Sequence, residues 1–98
     1  MNNPDLQFLA TLESTILDRI ENPVQESYTT SLIALGTNRI AQKVGEEAVE
    51  LAIAAVSDDR DEVLNEAADL VYHLLVLLRS RELGLAELVA TLQARHTG

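Results

Sequence analysis

The amino-acid sequence predicts an all-α fold, an antiparallel bundle of four to five helices. Three observations carry that prediction. Apolar residues recur at spacings of three and four along most of the 98 residues. No stretch alternates apolar and polar residues as a half-buried strand does. Residues that start and stop helices fall between the periodic stretches.

Each element has its own warrant. Asn3-Pro4 reads as an N-cap followed by proline in the first turn. Leu6, Leu9, Ala10, Leu12, Ile16, Leu17 and Ile20 then mark a first helix over 4–20, which Glu21-Asn22-Pro23 ends. Residues 23–28 form a loop. The hydroxyls of Ser27-Tyr28-Thr29-Thr30-Ser31 cap a short helix through Leu35, with Gly36 as its C′ residue. Thr37 is the expected N-cap of a long helix over 38–56, with Ile40, Val44, Leu51 and Ala55 on one stripe. Gly45 interrupts it at a cost of about 1 kcal/mol relative to alanine. It reads either as a close helix crossing or as room for a ligand. Ser57-Asp58-Asp59-Arg60 is the break, and its acids can cap the next helix. That helix, over 60–81, is apolar on most sides from Val63 to Leu78, so central burial is expected. Gly84 reads as the stop, and Leu85, Leu88, Val89 and Leu92 mark a last helix to about residue 95.

A chain of this length makes one domain, spanning 1–98. It is 47% hydrophobic with three aromatics, so its core is aliphatic and thin. Oligomerisation is a common remedy at this size. The absence of cysteine is compatible with a reducing cytosol. The N-terminus lacks a basic region followed by an apolar run, so no signal peptide is expected. The apolar run from Leu70 to Leu78 is too short to span a membrane. A net charge of −9 argues against nonspecific binding to nucleic acid or anionic membranes. It leaves room for a phosphorylated substrate, because a bound metal inverts the local field.

Chemistry concentrates between residues 43 and 69, in the carboxylates of Glu46, Glu47, Glu50, Glu66 and Asp69. At about 100° per residue, Lys43, Glu46, Glu47 and Glu50 fall within an arc of roughly 100°, and Glu66 and Asp69 lie about 60° apart. Like charges stacked on one helix face repel. A divalent cation is the simplest group to offset that cost, against structural acids held in salt bridges. Oxygen-only ligands favour Mg²⁺ or Mn²⁺ over zinc. A helix hairpin between Glu50 and Glu66 would bring the two sets of acids opposite each other.

The basic residues are few. Lys43 is either an ion-pair partner of Glu46 and Glu47 or a phosphate contact. Arg39, one turn earlier, has the same two readings. Arg79 and Arg81 suit the C-terminal end of a helix dipole. His73, one turn after Asp69, reads first as a hydrogen-bonded core histidine and second as a ligand or base. Tyr28 either packs or stacks on a base. His96 is expected to have no role. There is no cysteine nucleophile and no phosphate-binding glycine loop.

At these residues the sequence resembles a known family. Glu47-x-x-Glu50 followed by Glu66-x-x-Asp69 is similar to the signature of the MazG-like all-α nucleotide pyrophosphohydrolases. Ser27-Tyr28-Thr29, Gly36, the run Ile40-Ala41-Gln42-Lys43-Val44-Gly45-Glu46-Glu47-Ala48-Val49-Glu50, and Glu66-Ala67-Ala68-Asp69-Leu70 followed by Tyr72-His73 resemble the phosphoribosyl-ATP pyrophosphatases more specifically. The resemblance extends from about residue 6 to 95. It implies Mg²⁺-dependent hydrolysis of phosphoribosyl-ATP to phosphoribosyl-AMP and pyrophosphate, the second step of histidine biosynthesis, by a cytoplasmic helical homodimer. It implies a metal site of Glu47, Glu50, Glu66 and Asp69, with Glu46 nearby, and Lys43 as the first candidate for a phosphate contact. By their chemistry, Glu46 or Glu47 is the candidate general base, and Arg39 and Tyr28 are further candidate substrate contacts. The chain is too short to include the cyclohydrolase domain to which such enzymes are fused in some organisms. A house-cleaning nucleoside triphosphate pyrophosphatase is the alternative within the class. An iron-storing carboxylate bundle is disfavoured, because Asp69 stands where a di-iron motif places histidine.

Overall fold

The structure, a computed structural model, describes residues 4–97. All regular elements among these residues are helical: α1 Phe8–Glu21, α2 Tyr28–Leu35, α3 Thr37–Ala55, α4 Arg60–Ser80 and α5 Leu85–Arg95. Among the described residues no helix is long and apolar enough to cross a membrane.

The α3–α4 hairpin is the spine. The Thr37 hydroxyl donates to Ser80 Oγ at 3.2 Å, joining the start of α3 to the end of α4. Further along, Glu47 faces Asp69 and Glu50 faces Glu66. These pairs advance on one helix as they retreat on the other, which defines the antiparallel register. At the hairpin tip Asp59 caps α4, its side chain accepting from the Glu62 N–H at 3.2 Å. The acids of the break therefore cap as the sequence predicts.

α1 and α2 cover one half of the hairpin only. Ile16 of α1, Leu32 of α2, Ile40 of α3, and Leu75 and Val76 of α4 form the buried core, with Leu12, Ile20, Ile33, Tyr72, Leu77 and Leu85 packed against it. Both covering helices are short, 14 and 8 residues, or about 21 and 12 Å at 1.5 Å per residue. They do not reach the tip, where Val49, Ile53, Val56 and Leu64 are exposed, Val56 to 88%. Central burial of α4 therefore holds for its second half and fails for its first.

The termini of the helices differ from expectation in three places. α1 starts at Phe8 rather than at residue 4, because the Asp5 carboxylate accepts from the Gln7 N–H in a turn that precedes the helix. Leu6 is left 87% exposed, and the expected cap Asn3 lies outside the described residues. Thr37 is not a cap: Gly36, at φ 89°, ends α2 and starts α3. That left-handed backbone suits a residue without a Cβ. After α4 the left-handed position falls to Glu82, at φ 61°, and Gly84 is extended. Gly84 leaves room for two side-chain ends: a Cβ there would stand 2.6 Å from Glu13 Oε2 and 2.8 Å from Arg79 Nη2, so the pair would have to shift. Those two side chains pair at 3.2 Å, and Glu13 also accepts from the Leu85 N–H at 2.6 Å. Through this clasp α1 and α4 hold the start of α5. Ser27 caps α2 as predicted, accepting from the Thr30 N–H.

Candidate active site

The hairpin register decides which acids meet. Oxygens of Glu47, Glu66 and Asp69 all lie within 4.8 Å of one another, across the α3–α4 seam. Glu50 stands beside Glu47 and Glu66, near enough for its charge to act on both. Glu50 and Glu66 also line a cleft of about 360 Å³ toward the hairpin tip, with Ile53, Ala54, Ser57 and Glu62. Glu62 is a residue the sequence reading missed. Its signal was available: it precedes Glu66 by one helical turn.

This arrangement raises the affinity of Glu47 and Glu66 for protons. The Glu47 carboxyl is pushed above its ordinary value, first by burial and then by the negative charges of Glu50 and Asp69, with His73 opposing. Glu66 is pushed up to about 7, first by burial, then by hydrogen bonding and repulsion with Glu50, then by Glu62. Glu47 Oε2 and Glu66 Oε2 are buried and have no hydrogen-bond partner. Buried polar atoms without partners are uncommon and costly. Three converging carboxylates, two with such atoms, fit a hard divalent cation, which takes oxygen ligands. The acids thus form a possible metal-binding group.

The other candidates take different positions. Glu46 is exposed and stands apart from the three-acid cluster. Its Oε2 accepts from Gln42 Nε2 at 3.1 Å, and Gln42 Oε1 accepts from Arg39 Nη1 at 3.3 Å. Arg39 is therefore on the outer face of α3, held by a neutral partner. Lys43 is half-buried on α3. The ion pairs within 4 Å among the described residues are Arg19–Asp18 and Arg79–Glu13, so the expected pairing of Lys43 with Glu46 or Glu47 does not form. The two methylenes of glutamate and four of lysine that would let those groups meet also let them turn toward water, where a surface pair gains little. Arg79 lies in the last turn of α4, as read from the sequence, and also pairs with Glu13. Gly45 faces open space rather than a helix crossing, with nothing within 4 Å of an added Cβ.

His73 is buried and hydrogen-bonded, the first of its two expected readings. Nδ1 lies 2.7 Å from the Asp69 carbonyl oxygen and Nε2 lies 3.0 Å from the Tyr28 hydroxyl. Beside it, Thr29 Oγ1 bonds the Tyr72 hydroxyl. Burial pushes the Tyr72 phenol above its ordinary value.

Comparison with known proteins identifies the family of the chain. Residues 9–96 match the family model described as phosphoribosyl-ATP pyrophosphohydrolase. Similar curated proteins include the histidine biosynthesis bifunctional protein HisIE of Xylella fastidiosa, 53% identical over 90 residues, covering 92% of this chain and 44% of that protein. The protein of that name from Shewanella oneidensis is 53% identical over 89 residues, covering 91% of this chain and 42% of its own length. That of Yersinia pestis is 50% identical over 92 residues, with 94% and 45% covered. The chain thus spans less than half the length of these relatives. The match takes in α1 to α5 and every carboxylate of the cluster, and the chain belongs to the phosphoribosyl-ATP pyrophosphohydrolase family.

Proposed function

We propose that the protein hydrolyses phosphoribosyl-ATP to phosphoribosyl-AMP and pyrophosphate, the second step of histidine biosynthesis, in the cytoplasm and with Mg²⁺. The observation that carries this reading is the cluster of Glu47, Glu66 and Asp69, with its buried unpartnered oxygens, in a chain of this family. Residues 1–98 are read as one catalytic domain.

Glu47, Glu50, Glu66 and Asp69 would hold the ion, with Mn²⁺ as a substitute. When bound, the ion would neutralise phosphate charge and help align water with the phosphoanhydride. Glu47 is favoured over Glu46 as the general base: it lies within the cluster and its Oε2 is buried without a partner, whereas Glu46 is exposed and tied to Gln42. Glu47 takes the proton of the attacking water. The water oxygen bonds to the α phosphorus as its bond to the bridging oxygen breaks, leaving phosphoribosyl-AMP, and pyrophosphate departs with the bridging oxygen. Lys43, which has no ion pair among the described residues, contacts the phosphates, with Arg39 one turn away and Tyr28 on the nucleotide side.

The test is pyrophosphate release from phosphoribosyl-ATP with Mg²⁺ and with excess chelator, beside ATP and other common triphosphates. Metal-dependent release from phosphoribosyl-ATP is expected, with Asp69→Asn greatly impaired. Faster turnover of a common triphosphate would reassign the substrate.

The working unit is read as a homodimer. The exposed apolar residues at the hairpin tip support this, because contiguous apolar surface is seldom left in water. A melting temperature that rises with protein concentration is expected. Light scattering from a folded, active monomer at micromolar concentration would contradict it.

A further inference from the structure

Tyr28 and His73 tie the start of α2 to the acid-bearing helix. His73 is 6% exposed, and its two ring nitrogens have different partners. The Asp69 carbonyl oxygen only accepts, so Nδ1 carries the hydrogen. In the neutral ring Nε2 is then an acceptor, and the Tyr28 hydroxyl donates to it. Tyr28 is thus held at its hydroxyl end by His73. At its backbone end it opens α2 directly after the Ser27 cap.

A tyrosine fixed at both ends is normally a packing residue, yet Tyr28 remains 54% exposed. Its aromatic neighbours do not cover it. The Tyr72 ring is 6.1 Å away at 31°, and the His73 ring is 5.9 Å away and edge-on. Glu66, Asp69 and His73 are spaced three and four apart, so they share one face of α4. His73 therefore stands about 6 Å along the axis from Asp69, and the Tyr28 hydroxyl lies 3.0 Å from its Nε2. A flat, held and open aromatic surface thus adjoins the acid cluster. In a chain of net charge −9, an uncharged purine is the part of a nucleotide that can approach without a cation.

We propose that Tyr28 is the shelf on which the purine ring of the substrate stacks, and that His73 is the positioning residue that holds the shelf in place. This rests on the nucleotide-hydrolase reading of the neighbouring acids.

The experiment is a titration of the wild-type protein with AMP, and separately with ribose 5-phosphate, followed by NMR. The chain has two tyrosines and two histidines, so the signals are few. AMP is expected to shift the Tyr28 ring signals and ribose 5-phosphate to leave them. Long-range nitrogen–proton spectra are expected to show His73 protonated at Nδ1. Tyr28→Ala removes the shelf, and stacking of this kind supports a loss of about tenfold or more in AMP affinity. His73→Leu removes the latch and is expected to lose about as much. His73→Gln, whose amide oxygen can accept from the Tyr28 hydroxyl, should recover most of the loss. In turnover the same variants should raise KM about tenfold while kcat changes by less than about twofold. Equal shifts with both ligands, or unchanged AMP affinity in Tyr28→Ala, would overturn the proposal. If His73→Leu does not fold, Tyr28→Ala and the His73 tautomer still decide. AMP seated on Tyr28 in a protein without turnover would remove the proposed reaction and leave the shelf. Turnover without any AMP effect on Tyr28 would do the reverse.

Discussion

Lowering the pH from 8 to 6 should weaken Mg²⁺ binding about tenfold, through Glu66. A metal-binding carboxylate must be deprotonated, so protons compete with the ion. The Glu66 carboxyl titrates at about 7, against an ordinary 4.5. It is then about nine-tenths ionised at pH 8 and about one-tenth ionised at pH 6. A carboxyl at its ordinary value would change by only a few per cent over that range. Titration calorimetry of the metal-free protein with Mg²⁺ at both values measures the ratio. Repeating it at pH 7 in buffers of different ionisation enthalpy should show about half a proton released per ion. Stability carries the same signature with a definite sign. The raised value means that the folded state holds the Glu66 proton more tightly than the unfolded chain. Its contribution is present below pH 4.5 and is lost as pH rises through about 7. The melting temperature of the metal-free protein should therefore fall across that window. Mg²⁺ at a hundredfold excess over its Kd adds about 2.7 kcal/mol and should reverse the fall. Mg²⁺ affinities within about twofold at pH 6 and 8 would refute the idea that Glu66 both carries this proton and binds the ion.

Two other outcomes test neighbouring parts of the argument. Lys43→Met should impair turnover while leaving the melting temperature within about a degree or two, because the side chain makes no ion pair among the described residues; a large loss of stability with intact kinetics would mark it as structural. Gly84→Ala should destabilise the protein by about 1–3 kcal/mol, or roughly 5–15 °C at this chain length, since its Cβ would meet Glu13 Oε2 at 2.6 Å and Arg79 Nη2 at 2.8 Å; a melt unchanged from wild type would show that the clasp moves aside freely.

Much of this protein was legible in its residues because helical order is local. The period of α3 places Glu46, Glu47 and Glu50 on one arc, and that of α4 aligns Glu66 with Asp69. Ser27 and Asp59 cap where hydroxyls and acids precede apolar runs. The five helices and the acid-bearing pair follow from such short-range rules. The tertiary structure decided what depends on distant partners. Glu46 and Glu47 are adjacent in sequence, yet only Glu47 joins Glu66 and Asp69, because the hairpin register brings that side of α3 to the seam. Gly84 reads from sequence as the stop of a helix, whereas it directly precedes α5 and leaves room for Glu13 and Arg79, which arrive from α1 and α4. Lys43 forms no ion pair that its spacing allows, because side-chain reach permits a contact without compelling it. His73 could be ligand, base or core by its position after Asp69. Only the arrival of Tyr28 from α2 assigns its second ring nitrogen a partner. Sequence spacing determines which groups share a face of one helix; what those groups meet is decided by the packing of one helix on another.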